Sequence, residues 1–310
     1  MTIATWPELR LADWQPTYET LHMWTQIIGK TRLALAPLQN HWWQVTLYPT
    51  VRGLSTGEIP CGGRAVEIEF NFGDHVLAIR CSDGRNESVP LTSIPVSQFF
   101  ASYMDALRAL DINVRMHAVP VEIVNAIPFE RDVEHATYDS NAAQRHWQIL
   151  LQVHRVFEMF RSRFVGKASP VHFFWGSFDL ATTRFSGRSA PRHPGGAPNC
   201  PDYVMVEAYS QECASFGFWP GGGLVDDAAF YAYSYPEPAG YAQRRIDPDA
   251  AYYHADLHEF VLPYEAVRGA ANPDETLLAF LQCTYDAAAD LAQWNRAALD
   301  RPRAQWRGLP

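Results

Sequence analysis

Two runs of strict alternation, AVEIEFNF at 65–72 and HVLAIRCS at 75–82, leave the middle of the first half little choice of structure. In an extended chain successive side chains point to opposite faces, so Val66, Ile68, Phe70 and Phe72 form one apolar face. Only Gly73 and Asp74 separate the runs, and a connection that short joins antiparallel neighbours in a hairpin. Asp83-Gly84 turns the chain again, into a short strand around Val89 and Leu91. A meander of this kind has an apolar face to cover, and the flanking sequence supplies helices to do it. Residues 17–35 place Leu21, Trp24, Ile27 and Ile28 on one face of a 3.6-residue period and stop before Pro37. Residues 96–110 read as a second helix. HWWQVTLYPTVRG at 41–53 alternates and is expected as a strand, and 114–129, broken by prolines, as an edge strand and connector.

The same order then recurs. A helix over 142–164, capped by Asp139 or Ser140, ends near Gly166-Lys167 as the first helix ends near Gly29-Lys30. HFFWGSFDLATTRFSG follows it as HWWQVTLYPTVRG follows the first, and Val206-Glu207 on a later strand echoes Val66-Glu67. The chain therefore reads as an α+β protein of two related helix–antiparallel meander–helix halves, an internal duplication. Residues 1–130 would be mainly scaffold. Residues 131–310 carry long Gly/Pro loops at 192–202 and 218–227, where binding sites commonly sit. The alternative is that two unrelated helix-and-meander units look alike. Both Gly-Lys pairs suit helix C-termini. The paired His-aromatic runs suit either a packed seam between the halves or a cavity wall that stacks a planar ligand.

Composition limits the function. A net charge of -9 argues against a nucleic-acid binder or an anionic-membrane binder, both of which need a basic face. Five cysteines without C-x-x-C spacing fit free thiols in a reducing cytoplasm. No apolar run approaches the ~20 residues of a membrane span, and the acidic, proline-containing start is unlike a signal peptide. Aromatic residues at 13%, ten of them tryptophan, favour a broad apolar cavity or interface.

HFFWGSFDLATTRFSGR, with GFWPGGG and YSYPEPAG after it and NHWWQVTLYPTVRGL before it, resembles an uncharacterised bacterial protein family known as a domain of unknown function. The resemblance covers nearly the whole chain and implies a bacterial origin and one family-wide unit. It brings no activity, cofactor or catalytic residue with it.

The candidate chemistry is therefore read from residues. If 172–181 is one strand, Trp175, Ser177 and Asp179 share a face and His172 lies opposite. Asp179 is read either as half of a buried ion pair with Arg184 or Arg188, or as a catalytic or ligand-binding group. His193 lies in an Arg-His-Pro-Gly-Gly loop that could close over a site. The expected catalytic set is Asp179, Arg184 and His193, and the expected ligand contacts are His172, Trp175, Ser177, Arg188, Trp219 and Tyr233. Ser177 lacks a G-x-S-x-G elbow, and no glycine run has a phosphate-loop context. His254, Asp256 and His258 alternate in YYHADLHEF and would share one strand face, within reach of a transition metal. The plainer reading of that stretch is the polar side of an amphipathic strand. Two functions follow: a small-molecule enzyme or ligand-binding protein with an aromatic-lined pocket, or a non-catalytic assembly protein that binds a partner through exposed aromatic loops.

Overall fold

Helix α1 (Leu11–Leu35) is buried on almost every side from Thr17 to Arg32, as a helix is when elements pack all round it. It starts six residues before the periodic stretch suggested and takes in Gly29-Lys30, which lie inside the helix and not at its end. The computed structural model describes residues 6–306.

The first half builds a six-stranded antiparallel sheet from β1 (Tyr48–Pro49), β2 (Gly53–Ser55), β3 (Ile59–Cys61), β4 (Arg64–Asn71), β5 (Val76–Cys81) and β6 (Asn86–Pro90). The expected hairpin is β4–β5, with Phe70 opposite Leu77 and Asn71 opposite Val76. Helix α2 (Val96–Ala109) covers its apolar face with Phe99, Tyr103 and Leu107, and Trp24 of α1 stacks on Phe99. Two expectations fail here. Residues 40–45 form 3-10 turns in which His41 and Trp42 take positive φ, so only 48–49 and 53 of the expected strand fall in strands, β2 running on to Ser55. Residues 114–128 hold no strand and cross the molecule as an irregular connector.

The second half opens with α3 (Ser140–Arg161), whose first amides at Asn141 and Ala142 are capped by the Asp139 carboxylate as expected. A second antiparallel sheet follows in the order β11-β12-β10-β9-β8-β7. Its strands are β7 (His172–Phe174), β8 (Asp179–Ser189), β9 (Gln211–Trp219), β10 (Ala229–Tyr235), β11 (Tyr252–His254) and β12 (Glu259–Pro263). Helix α4 (Asp202–Ala208) precedes β9, so Val206-Glu207 is helical and not part of a strand. Helices α5 (Tyr264–Arg268), α6 (Pro273–Leu291) and α7 (Arg296–Leu299) close the chain. Leu180, Phe216, Phe218, Phe230 and Leu262 point from one face of this sheet into the core.

The molecule is thus α+β with two antiparallel sheets. The matched pairs taken for a repeat occupy different structures: Gly29-Lys30 is mid-helix and Gly166-Lys167 is loop, while HWW turns and HFF extends. One contiguous apolar core runs from Trp6 to Trp294 across both halves. The halves also exchange backbone hydrogen bonds, since Leu47 and Phe173 each donate to the other's carbonyl at 2.9 and 2.8 Å.

Candidate functional site

The chain between β7 and β8 is a four-residue turn, and this changes every face in the 172–181 stretch. Phe178 closes the turn at φ 60°, and the strands then pair His172 with Ala181 and Phe174 with Asp179. Directly opposed residues in an antiparallel pair share a face, so His172 and Asp179 lie on the same side. That is the reverse of the single-strand parity. Trp175 and Ser177 belong to the turn.

The outward face of the second sheet carries Asp179, Ala181 and Thr183 on β8, Ser215 and Gly217 on β9, and Tyr231 and Tyr233 on β10. Gly217 has a steric role, because a Cβ there would overlap the Tyr231 ring. With no side chain in the way, Tyr231 lies across β9 and donates its hydroxyl to Asp179 Oδ2, while Ser177 donates to Oδ1. Burial nevertheless raises the Asp179 carboxyl above the usual range, against the opposing pull of these two donors. Burial also drives the Tyr231 phenol well up, with the Asp179 charge adding to it, so Tyr231 stays a donor. Tyr233 extends the row, sharing a 2.7 Å hydrogen bond with Tyr209.

One face of α1 forms the adjoining wall. His22 Nε2 donates to the Gly176 carbonyl at 2.8 Å. Gln26 holds the connector with both amide atoms, to Val121 O at 2.9 Å and Val121 N at 2.8 Å. Gly29 gives the Trp175 ring its place, since a Cβ there would overlap it, and the indole N–H donates to Val45 O at 2.7 Å. Lys30 follows, only 4% exposed, its ammonium 5.9 Å from the Trp175 ring centre. Burial lowers Lys30 to about 8. Because Gln26 pins Val121, Glu122 at φ 61° is set with its carboxyl against Gly176. Glu122 lines the cavity and is itself exposed. Protein nonetheless crowds the carboxyl itself, and this desolvation, with Asp179 nearby, pushes it up to about 7.

The third wall is the pair of left-handed residues His41 and Trp42, with Trp43, facing α4 and the loop before it. His41 Nδ1 donates to Ala208 O at 2.8 Å, which leaves Nε2 to accept from the Lys167 ammonium at 2.6 Å. Lys167 donates again to Gln211 at 2.9 Å. Glu122 N donates to Pro198 O and Asn199 Nδ2 to Ile123 O, both at 2.7 Å, tying this loop to the connector. Together the walls enclose a cavity of about 610 Å³, drawn from both halves of the chain. That volume is within the range of small-molecule sites.

Of the residues expected from sequence, Trp175, Ser177, Asp179 and Tyr233 line this cavity. The others do not. His172 is buried under Trp43 and Tyr48 with neither ring nitrogen hydrogen-bonded, and burial drops it to about 3. Arg184 is on the opposite face of β8 from Asp179 and forms no pair with it. Its guanidinium stacks on Phe160 at 3.6 Å and Tyr285 at 4.3 Å, and donates to Phe160 O. Arg188 is exposed, paired with Glu212 at 2.6 Å, and caps the end of α6 through Ala292 O. His193 stacks on the far side of Tyr209 at 4.6 Å. Trp219 shares the Asp179 face but packs on Val225, Ala229 and Val261. The metal reading also fails: His254 ends β11, Asp256 and His258 belong to the following turn, and no group of three ligating side chains converges among the described residues.

Lys30, Glu122, Tyr231 and Gly217 were missed by the sequence reading. For Lys30 a signal existed, a lysine two residues after the apolar pair Ile27-Ile28 of a helix. For Glu122 none did, because the connector has no period from which to read a direction.

A family model described as a family of unknown function (DUF5996) matches residues 6–301. No curated protein and no solved structure matches the chain.

Proposed function

The chain belongs to that family of unknown function, and from the cavity we propose that it binds, and acts by acid–base chemistry on, a small flat organic molecule with one polar end. The observation that carries this reading is a pair of charged side chains left without partners inside an aromatic enclosure. Lys30 and Glu122 both reach the cavity, and among the described residues neither ammonium nor carboxyl has a hydrogen-bond or ion-pair partner. Lys30 is buried, and buried polar groups are almost always satisfied, so its unpaired ammonium facing an open volume calls for a ligand or ordered water. Trp42, Trp43, Phe174, Trp175 and Phe185 supply flat apolar surface for the body of the molecule. A carboxyl held at about 7 is poised to give or take a proton at neutral pH. Five cysteines with no disulfide among them agree with a reducing cytoplasm.

The test is a titration of intrinsic tryptophan fluorescence with naphthalenemethanol, a flat aromatic alcohol. Wild type should show saturable quenching, weakened at least about tenfold in Ala181→Trp and Thr183→Trp, which fill the cavity from its sheet face. Quenching that never saturates, or is the same in folded cavity-filled variants, would sink the proposal.

A further inference from the structure

Lysine and arginine together number 25 in this chain, yet only Lys30 and Lys167 are lysine. Both lie at the cavity. Lys30 lines it, and the Lys167 ammonium sits 5.6 Å from Trp43 and 4.8 Å from Phe185, two of its wall residues. The two cations differ in chemistry as well as shape. A guanidinium stays protonated and suits ion pairs, whereas an amine can lose its proton and act as a nucleophile. A chain that uses arginine everywhere else, and lysine only here, has a use for an amine at this place.

Lys167 has its use on view, donating to His41 Nε2 and Gln211 as a bound ammonium. Lys30 has no such partner. Its stem is packed within α1, its nitrogen stands over Trp175, and the next residue, Gly176, carries the Glu122 carboxyl against its α-carbon. The amine and the acid therefore flank one dipeptide.

We infer that the Lys30 amine forms an imine with an aldehyde or ketone carried by the aromatic ligand, with Glu122 as the acid that expels water. This rests on the binding reading above. The neutral amine attacks the carbonyl carbon, the carbonyl π pair moves to oxygen, and transfer of one proton from nitrogen to oxygen gives the carbinolamine. Glu122 then protonates the hydroxyl, the C–O bond breaks, and water leaves as the nitrogen lone pair forms C=N. The product is an iminium cation, with the carboxylate left on Glu122 in the same cavity. The environment suits each role: burial holds Lys30 near 8 and Glu122 near 7, so a free amine and a carboxylic acid coexist around neutral pH. At pH 7 an amine of that pKa is unprotonated about 10²-fold more often than an ordinary lysine.

The experiment uses the full chain with naphthaldehyde and sodium cyanoborohydride at pH 7, read by peptide mass mapping, with the naphthalenemethanol titration run on the same sample. Lys30 should acquire the naphthylmethyl group at least about tenfold faster than Lys167, and naphthalenemethanol should slow it. Lys30→Arg, which keeps the charge, should lose the adduct. Glu122→Gln should slow adduct formation about 10- to 100-fold, a readout that survives if the lysine variant does not fold. Saturable binding of naphthalenemethanol with Lys30 unmodified, or modified no faster than Lys167, overturns the imine alone. No saturable binding of either compound overturns the cavity reading, and the imine with it.

Discussion

Asp179 faces the cavity, yet its partners are not the ones its sequence neighbourhood suggests. An acid in an aromatic strand demands a partner, and by sequence distance Arg184 and Arg188 are the natural ones. The structure satisfies it with two hydroxyls, one of them from Tyr231, 52 positions away. Tyr231→Phe removes the reach across β9 and leaves a buried carboxyl oxygen unpaired, so it should destabilise the fold by about 1–3 kcal/mol at pH 7. It should also weaken naphthalenemethanol binding; denaturant melts and the fluorescence titration measure the two effects. Arg184 gives the contrasting case. Burial pulls it down to about 9 on the helix-facing side of β8, where its ring contacts hold it. Arg184→Met should move the melting midpoint in either direction while naphthalenemethanol binding stays unchanged. A loss of binding in a folded Arg184→Met protein would return this arginine to the site.

At the scale of elements, three hairpins share one device that alternation does not announce. The β4–β5, β7–β8 and β11–β12 connections are each four residues long, and each ends on a residue at positive φ: His75, Phe178 and His258. The first was legible because apolar residues alternate cleanly on both sides and Gly-Asp marks the bend. The second was not, since WGSF keeps aromatic residues through the turn and its left-handed position is a phenylalanine, the type least expected there. Reading through that turn inverted the parity of His172 against Asp179, and reading through the third created an apparent metal face from His254, Asp256 and His258. The α+β class, the main helices and the Asp139 cap were legible because each rests on local periodicity or capping chemistry. The cavity was only partly legible, because it is assembled from α1, the connector and β10, which meet only in the folded chain. Two glycines set those meetings. Gly29→Ala should push Trp175 off α1 and break its bond to Val45, and Gly217→Ala should lift Tyr231 off β9. Each should lower stability by about 1–3 kcal/mol, and each should blue- or red-shift the tryptophan or tyrosine emission of the folded protein relative to wild type. Wild-type spectra and midpoints for both would contradict the steric account.

Across the whole molecule, buried titratable groups pull stability in opposite directions with pH, and their depths decide the outcome. Glu122 and Glu259, raised to about 7 chiefly by burial, bind protons more tightly folded than unfolded. Their contribution is fully present below about pH 4.3, the ordinary glutamate value, and is lost as pH rises through 7. His22, His146 and His172 do the reverse. Burial lowers them to about 4, 3 and 3, so their neutral forms favour the fold above about pH 6.5, and that advantage is lost as pH falls towards those values. At pH 5 each such histidine costs about 2 kcal/mol relative to neutral pH. Three together, about 6 kcal/mol, match the lower end of an ordinary domain's stability of about 5–15 kcal/mol. Glu122 faces a cavity that water can enter, and Glu259 is half-buried, so the carboxyls offset only part of this. Stability should therefore fall between pH 7 and pH 5. His172→Phe isolates one histidine cleanly, because neither ring nitrogen has a partner to lose and Trp43, Tyr48 and Phe174 already form an aromatic socket around it. Guanidinium melts at the two pH values should show the variant at least as stable as wild type at pH 7 and about 2 kcal/mol less sensitive to the drop. An equal drop in both proteins would mean that His172 does not titrate with unfolding, and that acid sensitivity arises elsewhere in the core.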